Sequence, residues 1–359
     1  MSTSTHFCLA VILLLLVIPG DAWAQLPDND RASQAFAEAV KLQGARTPAS
    51  LEEAIKKYEE AIKLWEGKGK ELEQARAMNN VAAIHFGTGD FDKAIQTFQK
   101  VLKIFESKHG NQHIEVFKTL NNLAMVYAAK GDHQNADAAY DRGLPIYEKE
   151  VGAEDEKYLK ALNGLGDYYR EQGRFDRAVK MFSRLLEIEE KKLSVDDPDL
   201  AVTLTNLAVS YLELGQFEKA EQFYKRALAL REKVFGVDSF EAAVSLNNFG
   251  ALYAAKGDLK RAEEFDRRAF AIFEKKLAPN DPMLGLSLSD IGMVLSRQKK
   301  FPEAEDAFRR ALKIVDKADG QESGALATVL QNFARMLQDS GRESEASKML
   351  ERLRSLSSN

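Results

Sequence analysis

The sequence predicts an all-α fold, an α-solenoid of about eight antiparallel helical hairpins. A first series of glycines recurs every 42 residues or a multiple of 42, with Lys299 filling the slot once. A second series follows 21 residues after the first, so each period divides into two helical segments of equal length. Within each segment the apolar residues fall at i, i+3, i+4 and i+7, one face of an α-helix, which leaves no place for strands. The first series is Gly89, Gly131, Gly173, Gly215, Gly257 and Gly341, and the second is Gly110, Gly152, Gly236 and Gly320.

Residues 1–24 break this pattern and are predicted to be a signal peptide. Residues 7–18 are an apolar run of 12, whereas a membrane span needs about 20. Ala22 and Ala24 supply the small residues that a signal peptidase requires, so we expect cleavage after Ala24 and a secreted or periplasmic protein. The start of the segment holds no Lys or Arg, which leaves an uncleaved anchor as the alternative.

The mature chain is predicted to consist of a linker at residues 25–30, a repeat domain at 31–354 and a C-terminal tail at 355–359. A hydrophobic content of 45% allows a large core, and the single Cys8 falls in the signal peptide, so stability must come from packing without disulfides. The net charge is −5 and there is no block of basic residues, which argues against nucleic acid as a partner. No membrane span is predicted in the mature chain.

The first helical pair is expected at about residues 31–43 and 51–66. Ser50 followed by Glu53 has the spacing of a capping box, which would start the second helix and leave a longer turn than in the later hairpins. The segment GKGK at 67–70 separates this pair from the next one.

The later helices carry their own start signals. Asp90, Asp132 and Asp258 follow turn glycines and are predicted N-caps of second helices. Asp197 and Asp281 each precede a proline and are predicted to cap first helices. In the third pair, Gly143 and Pro145 interrupt the second helix and are expected to kink it.

Small residues recur 12 apart across each turn, as in Ala82 with Ala94 and Ala208 with Ala220, and a large aromatic residue follows four positions later in most hairpins. Together with the segments TLNNLAMVYAAKGD (119–132) and SLNNFGALYAAKGD (245–258), this pattern resembles the tetratricopeptide repeat. The 42-residue period is similar to that of the kinesin light chain type. HEAT repeats have a comparable period, but the small pair on either side of a glycine turn disfavours them.

The resemblance implies a right-handed superhelix whose first helices line the concave side, with asparagines in a peptide-binding groove. The matching residues here are amides and cations at i, i+3 and i+4 of successive first helices. Val202 and Val244 replace the cations further along, and Gly164, Thr205, Ser289 and Asp290 depart from the amide pattern. The candidate peptide-binding residues are Arg76, Asn79, Asn80, Lys118, Asn121, Asn122, Lys160, Asn163, Asn206, Asn247 and Asn248.

Side-chain amides both donate and accept, so a row of them can pair with the backbone of an extended peptide of any sequence. The cations of the N-terminal hairpins would favour acidic groups on that peptide. Two alternatives stay open: the asparagines could tie one hairpin to the next, and the cations could belong to solvated helix faces.

The sequence therefore predicts an exported, non-catalytic scaffold that binds a protein or an extended peptide without a cofactor, and the cations would favour an acidic peptide. The alternative is a structural or assembly protein that self-associates or links components of the cell envelope. No arrangement of nucleophile, base and orienting group indicates an enzyme. His109 and His113 lie across a predicted helix end, so a metal site there is not expected.

Overall fold

The computed structural model describes residues 30–317 and 324–356, and within these ranges it contains sixteen helices and no strand. The predicted signal peptide, nearly all of the linker, Gly320 and residues 357–359 lie outside the described residues. The helices are α1 (Arg31–Gly44), α2 (Pro48–Trp65), α3 (Glu71–Gly87), α4 (Phe91–His109), α5 (Ile114–Lys130), α6 (His133–Val151), α7 (Glu156–Glu171), α8 (Phe175–Lys192), α9 (Asp199–Glu213), α10 (Phe217–Phe235), α11 (Phe240–Lys256), α12 (Leu259–Lys276), α13 (Pro282–Arg297), α14 (Phe301–Val315), α15 (Gly324–Asp339) and α16 (Glu343–Leu356).

The chain divides into two compact units, Met1–Tyr168 and Tyr169–Asn359, which we call unit 1 and unit 2. In unit 1, α1 packs on α2, α3 on α4 and α5 on α6, and each hairpin packs on the next through α2–α3 and α4–α5. In unit 2, α8 packs on α9, and the hairpins α9–α10, α11–α12, α13–α14 and α15–α16 stack in chain order in the same way. The predicted all-α solenoid of antiparallel hairpins is confirmed.

The start of the second helix differs from the prediction. The N-cap of α2 is Thr47, whose Oγ1 accepts a hydrogen bond from the Ser50 backbone N–H at 3.2 Å while the Ser50 Oγ accepts from the Thr47 N–H at 3.0 Å. The Ser50–Glu53 capping box and the longer turn were therefore wrong predictions. Pro48 explains the difference, because its fixed φ suits the first helical position and makes the preceding residue the cap.

The other predicted caps are largely confirmed. The side chains of Asp90, Asp132, Asp258 and Asp281 each accept a hydrogen bond from a backbone N–H in the first turn of the following helix. Asp197 lies two residues before α9 and accepts from the backbone N–H of its first residue at 3.0 Å. Aspartate at these positions satisfies N–H groups that have no partner inside the helix.

The helix α6 continues through Pro145, so the proline does not end it. The neighbouring Gly143 permits a close approach of α6 to α5, because a Cβ at this position would lie 3.3 Å from Cδ2 of Phe117. Lys299 keeps the turn geometry of the glycines that it replaces, with φ of 62°. A residue with a Cβ pays a small conformational penalty there.

One position of the core departs from all its equivalents in the repeat. The second helices of five hairpins bury a large aromatic side chain in the same register, at Phe98, Tyr140, Phe182, Tyr224 and Phe308. In α12 this position holds Asp266, which is only 2% exposed. A carboxyl therefore occupies a place where five other hairpins bury an aromatic ring.

The second helices are connected by a periodic series of ion pairs. In each pair a basic residue binds an acidic residue 36 positions earlier, which belongs to the preceding hairpin. Partly exposed pairs of this kind contribute only about 0.2–1 kcal/mol each to the free energy of unfolding. Their main effect is therefore on how neighbouring second helices align. The pairs are Arg142–Glu106, Arg226–Glu190, Arg268–Glu232, Arg310–Glu274 and Arg352–Asp316.

Candidate functional site

All predicted site residues lie on first helices, which are α3, α5 and α7 in the N-terminal half and α9, α11, α13 and α15 in unit 2. Successive first helices contact each other at α3–α5, α9–α11 and α13–α15. Residues 42 positions apart therefore lie in equivalent places on neighbouring helices of the same unit. Within each unit, we call the surface formed by these adjacent first helices the first-helix face.

Several amides on this face bridge neighbouring hairpins. Asn122 Nδ2 donates to Asn79 Oδ1 at 3.3 Å, and Asn332 Nδ2 donates to Ser289 Oγ at 3.1 Å. The third bridge runs from Asn247 Nδ2 to Asp290 Oδ2 at 3.1 Å. Each bridge joins residues 43 positions apart. These amides therefore tie one hairpin to the next, which is the alternative to peptide binding that the sequence left open for the asparagines.

Three other predicted asparagines are engaged inside unit 1. Asn80 Nδ2 donates to the Tyr58 hydroxyl at 3.1 Å, and this hydroxyl donates to Gln43 Oε1 at 2.7 Å. Asn121 is 4% exposed and its amide contacts Met125 Sδ at 3.5 Å, so in this conformation it offers almost no surface to a ligand. Asn163 Nδ2 donates to Asp167 Oδ2 at 3.2 Å.

Two of the three predicted cations of unit 1 pair with acidic residues of their own helices. Lys118 Nζ lies 2.8 Å from Glu115 Oε1, and Lys160 pairs with Glu156. Arg76 is partly buried on α3. The charges of Lys118 and Lys160 are therefore largely balanced by carboxylates of their own helices, and an acidic ligand would have to compete with these carboxylates.

Asn206 and Asn248 differ from the asparagines above. They occupy equivalent positions on α9 and α11, both are partly buried, and neither side chain makes a hydrogen bond with any residue that the structure describes. A partly buried amide that makes no hydrogen bond within the protein has both its donor and its acceptor available to a ligand.

Next to these amides, unit 2 carries an apolar strip on the first-helix face. Val202, Val244 and Leu286 lie at the positions that hold cations in unit 1, and each stands four residues before an amide or carboxyl position. Val202 is 52% exposed, and the other two are partly buried. We call Val202, Val244 and Leu286 the aliphatic strip.

Two carboxyl groups lie beside the end of this strip. The Oδ1 atom of Asp266 packs so close to α11 that a Cβ at Gly250 would lie 1.6 Å from it, so this position must be glycine. Neither Asp266 Oδ1 nor Asn247 Oδ1, both buried, has a hydrogen-bond partner among the described residues. Asp266 was not among the predicted site residues, although it interrupts the series of large aromatic residues in the sequence.

Because neither carboxyl group has a cation beside it among the described residues, burial raises the pKa of both. Desolvation raises the pKa of Asp266 to about 8, and the nearby charge of Asp290 adds to this effect. Desolvation also raises the pKa of Asp290 to about 6, against the hydrogen bond from Asn247. At neutral pH Asp266 is mainly protonated and Asp290 mainly ionised.

The histidine pair shows no metal-binding geometry. The rings of His109 and His113 stack with centroids 4.1 Å apart, and His113 Nδ1 accepts a hydrogen bond from the Glu115 backbone N–H. Desolvation lowers the pKa of His109, and His113 contributes to this shift. Within residues 30–317 and 324–356, no three side chains of His, Cys, Asp or Glu come together as a possible metal site.

None of the helices in the described parts of the chain combines the length and the apolar character that crossing a membrane would require.

Comparison with known sequences finds a family model described as the tetratricopeptide repeat, which matches residues 50–107, 115–191, 199–275 and 284–358. A second model of the same description matches residues 163–234. Similar curated proteins are the Photosystem I assembly proteins Ycf3 of two Synechococcus strains, CC9311 and WH7803, which are 31% and 32% identical over 77 residues. These matches span 21% of this chain and 43% of the relatives, so less than half of their length is covered.

Solved structures with similar helical repeats include a Podosopora anserina protein described as a kinesin light chain. It is 22% identical, with a TM-score of 0.47 over 55% of this chain and 93% of that chain. A tetratricopeptide repeat protein from Parabacteroides merdae is 15% identical, with a TM-score of 0.48 over 80% of this chain and 94% of that chain.

Proposed function

Because the chain belongs to the tetratricopeptide repeat family, we propose that it is a non-catalytic scaffold that binds a protein or an extended peptide on its first-helix face. Proteins built from such repeats serve interactions, and their stacked first helices form an extended surface. The fold alone does not fix the ligand, so the proposal depends on the side chains of this face.

The observation that carries the proposal is the pair Asn206 and Asn248, whose amides are free of internal hydrogen bonds. Packed helices lie about 8–10 Å apart, and an extended peptide rises about 3.3 Å per residue. The two amides would therefore bind backbone groups roughly three residues apart. This contact needs no particular side chain on the peptide, which suits a scaffold.

In unit 1 the proposed ligand preference is acidic. Arg76, Lys118 and Lys160 stand at equivalent positions of successive first helices. A carboxylate on the ligand would replace Glu115 or Glu156 as the partner of a lysine, and such an exchange between partly exposed groups weakens with added salt.

Exchanging both free amides for alanine should reduce peptide binding strongly. Linear peptides would be selected on the full-length protein from a displayed random library, and the affinity of synthesised peptides would be measured by fluorescence anisotropy. At about 1 kcal/mol for each lost hydrogen bond, we expect the double variant Asn206→Ala with Asn248→Ala to bind roughly tenfold to thirtyfold more weakly.

The matched control is Gln222→Ala, which removes an exposed amide from the second helix α10 of the same unit. Asn122 is less suitable for this test, because its amide also holds α5 to α3 through Asn79. Equal affinity of the double variant and the wild type, at unchanged helicity, would show that the peptide lies elsewhere.

A second candidate function is assembly through self-association. Val195 and Val237 are exposed in equivalent connections between hairpins of unit 2, and Phe235 is exposed at the C-terminal end of α10; Val195 is 81% exposed. Exposed apolar side chains that cluster on a surface mark contacts between proteins. Sedimentation over a range of concentrations distinguishes this candidate, because self-association would raise the mass and Phe235→Ser with Val237→Ser would lower it again.

We also propose export of the protein, on the basis of the apolar run at residues 7–18 and the alanines before Gln25. N-terminal sequencing of the protein from its native cells should begin at Gln25. A first residue within 1–24 would indicate an anchor that remains attached.

A further inference from the structure

The first-helix face of unit 2 differs in chemistry from that of unit 1. Aliphatic side chains replace the cations at Val202, Val244 and Leu286, and a carboxyl replaces the amide at Asp290. Asp290 lies four residues after Leu286, so both are on the same side of α13. Apolar and acidic groups thus lie side by side.

The negative charge at this place is not balanced by the protein. Asp290 receives a hydrogen bond from Asn247 on α11, and the other charged group that acts here is Asp266 on α12. No basic side chain among the described residues shifts the pKa of either carboxyl. The link from α15 to α13, between Asn332 and Ser289, is neutral. An uncompensated, partly buried carboxylate attracts a cation more strongly than an exposed one.

The second independent observation is Asp266 itself. It is 2% exposed, it takes the place of an aromatic residue, and its Oδ1 has no hydrogen-bond partner. A buried carboxyl that makes no hydrogen bond destabilises the fold, so its presence beside Asp290 points to a role outside packing.

We propose that the first-helix face of unit 2 binds an extended peptide segment that places a lysine or arginine side chain on Asp290 and aliphatic side chains on the aliphatic strip. This inference deepens the proposed scaffold function and rests on it. Asn206 and Asn248 hold the peptide backbone, while Asp290 and the strip select its side chains.

The roles of the two carboxyl groups differ. Asp290 is partly exposed and can contact a basic group directly. Asp266 Oδ1 packs against Gly250 and cannot contact the ligand. Asp266 therefore influences a bound cation only through its electrostatic field, which depends on whether its carboxyl is protonated. Binding of a cation favours ionised Asp290, so the affinity should rise with pH through the region near its pKa of about 6.

The test uses a peptide library displayed on phage, selected in parallel on the full-length wild type and on Asp290→Asn. Asparagine stands at the equivalent position in five other hairpins, at 80, 122, 206, 248 and 332, so this variant conforms to the repeat. We expect a Lys or Arg flanked by aliphatic residues to be enriched on the wild type. On Asp290→Asn the aliphatic preference should remain and the basic preference should disappear.

A selected peptide and its counterpart with norleucine in place of the lysine then give the size of the effect. On the wild type at pH 8 the lysine should improve Kd about tenfold or more, and at pH 5 most of this difference should vanish. On Asp290→Asn the two peptides should bind equally at both pH values.

Enrichment of acidic residues, or a basic preference that persists on Asp290→Asn, would overturn the inference. The scaffold proposal fails in a different way, since then no selected peptide would depend on Asn206 and Asn248. Peptides that depend on these amides but show no preference for Lys or Arg would contradict this inference and leave the scaffold proposal standing.

Discussion

Replacing Asp266 with phenylalanine should stabilise unit 2 by roughly 3–5 kcal/mol at pH 8 and by a smaller amount at pH 5. The position is one where Phe98, Phe182 and Phe308 are fully buried in other hairpins. Gly250 leaves the space for a ring on α12, just as Gly292 does for Phe308, where a Cβ would lie 2.8 Å from the ring. Burying an aromatic side chain contributes about 1.5–3 kcal/mol, and the exchange also removes a carboxyl that lacks a partner.

The pH dependence has a definite sign. The pKa of Asp266 rises from 3.8 to about 8 on folding, so between these values the folded protein holds a proton that the unfolded chain has lost. The stability of unit 2 should therefore fall as the pH increases from about 4 to about 8, by up to about 1.4 kcal/mol per pH unit, and then level off. Asp290 adds to the slope up to about pH 6.

Urea unfolding at several pH values, followed by hydrogen exchange of α11 to α13, measures both effects. The matched control is Asp266→Asn, which removes the titrating group without adding a ring, so it should flatten the slope with a smaller gain in stability. A loss of stability in Asp266→Phe at pH 8, or an unchanged slope in Asp266→Asn, would contradict this interpretation of the buried carboxyl.

The reciprocal exchange, Phe308→Asp, should destabilise unit 2 by more than about 4 kcal/mol at pH 8. Phe308 is fully buried, its ring packs on Gly292, and it stacks on Phe333 with centroids 5.3 Å apart. Removing a buried ring costs about 3–5 kcal/mol, and a carboxylate at the same place adds its own desolvation penalty.

Protonation should relieve part of this loss, so the variant should be less unstable at pH 5 than at pH 8. Phe308→Leu is the control, because it keeps the position apolar and should lose only part of the stability at any pH. Thermal unfolding at the two pH values gives the comparison. A loss equal to that of Phe308→Leu at pH 8 would show that a carboxyl is tolerated in this position without special surroundings.

The fold could be predicted because its signals are local and repeated. Gly257 and Asp258 specify a turn and a cap within two residues, and the 42-residue period multiplies this information along the chain. The prediction failed at the first hairpin, where Thr47 and Ser50 compete as caps only three residues apart. Pro48 decides this competition, because its fixed φ suits the first helical position and makes Thr47 the cap.

The site was harder to predict, because its chemistry depends on pairs of residues in different hairpins. Asn122 and Asn248 look alike in sequence, but Asn122 is held by Asn79 and Asn248 makes no such bond. The difference lies at the partner position, 43 residues earlier in the chain. Asn122 has Asn79 there, whereas Asn248 has Thr205, whose hydroxyl donates to the Ala201 carbonyl of its own helix. A pattern along one helix does not contain this information.

The most direct test of the scaffold proposal is the location of the bound peptide. A photoreactive residue introduced at Val202 lies on the first-helix face, whereas one at Gln222 lies exposed on a second helix of the same unit. After irradiation with a selected peptide, we expect crosslinked product from position 202 and none above background from position 222. Crosslinking from position 222 alone, or equally from both positions, would contradict binding on the first-helix face.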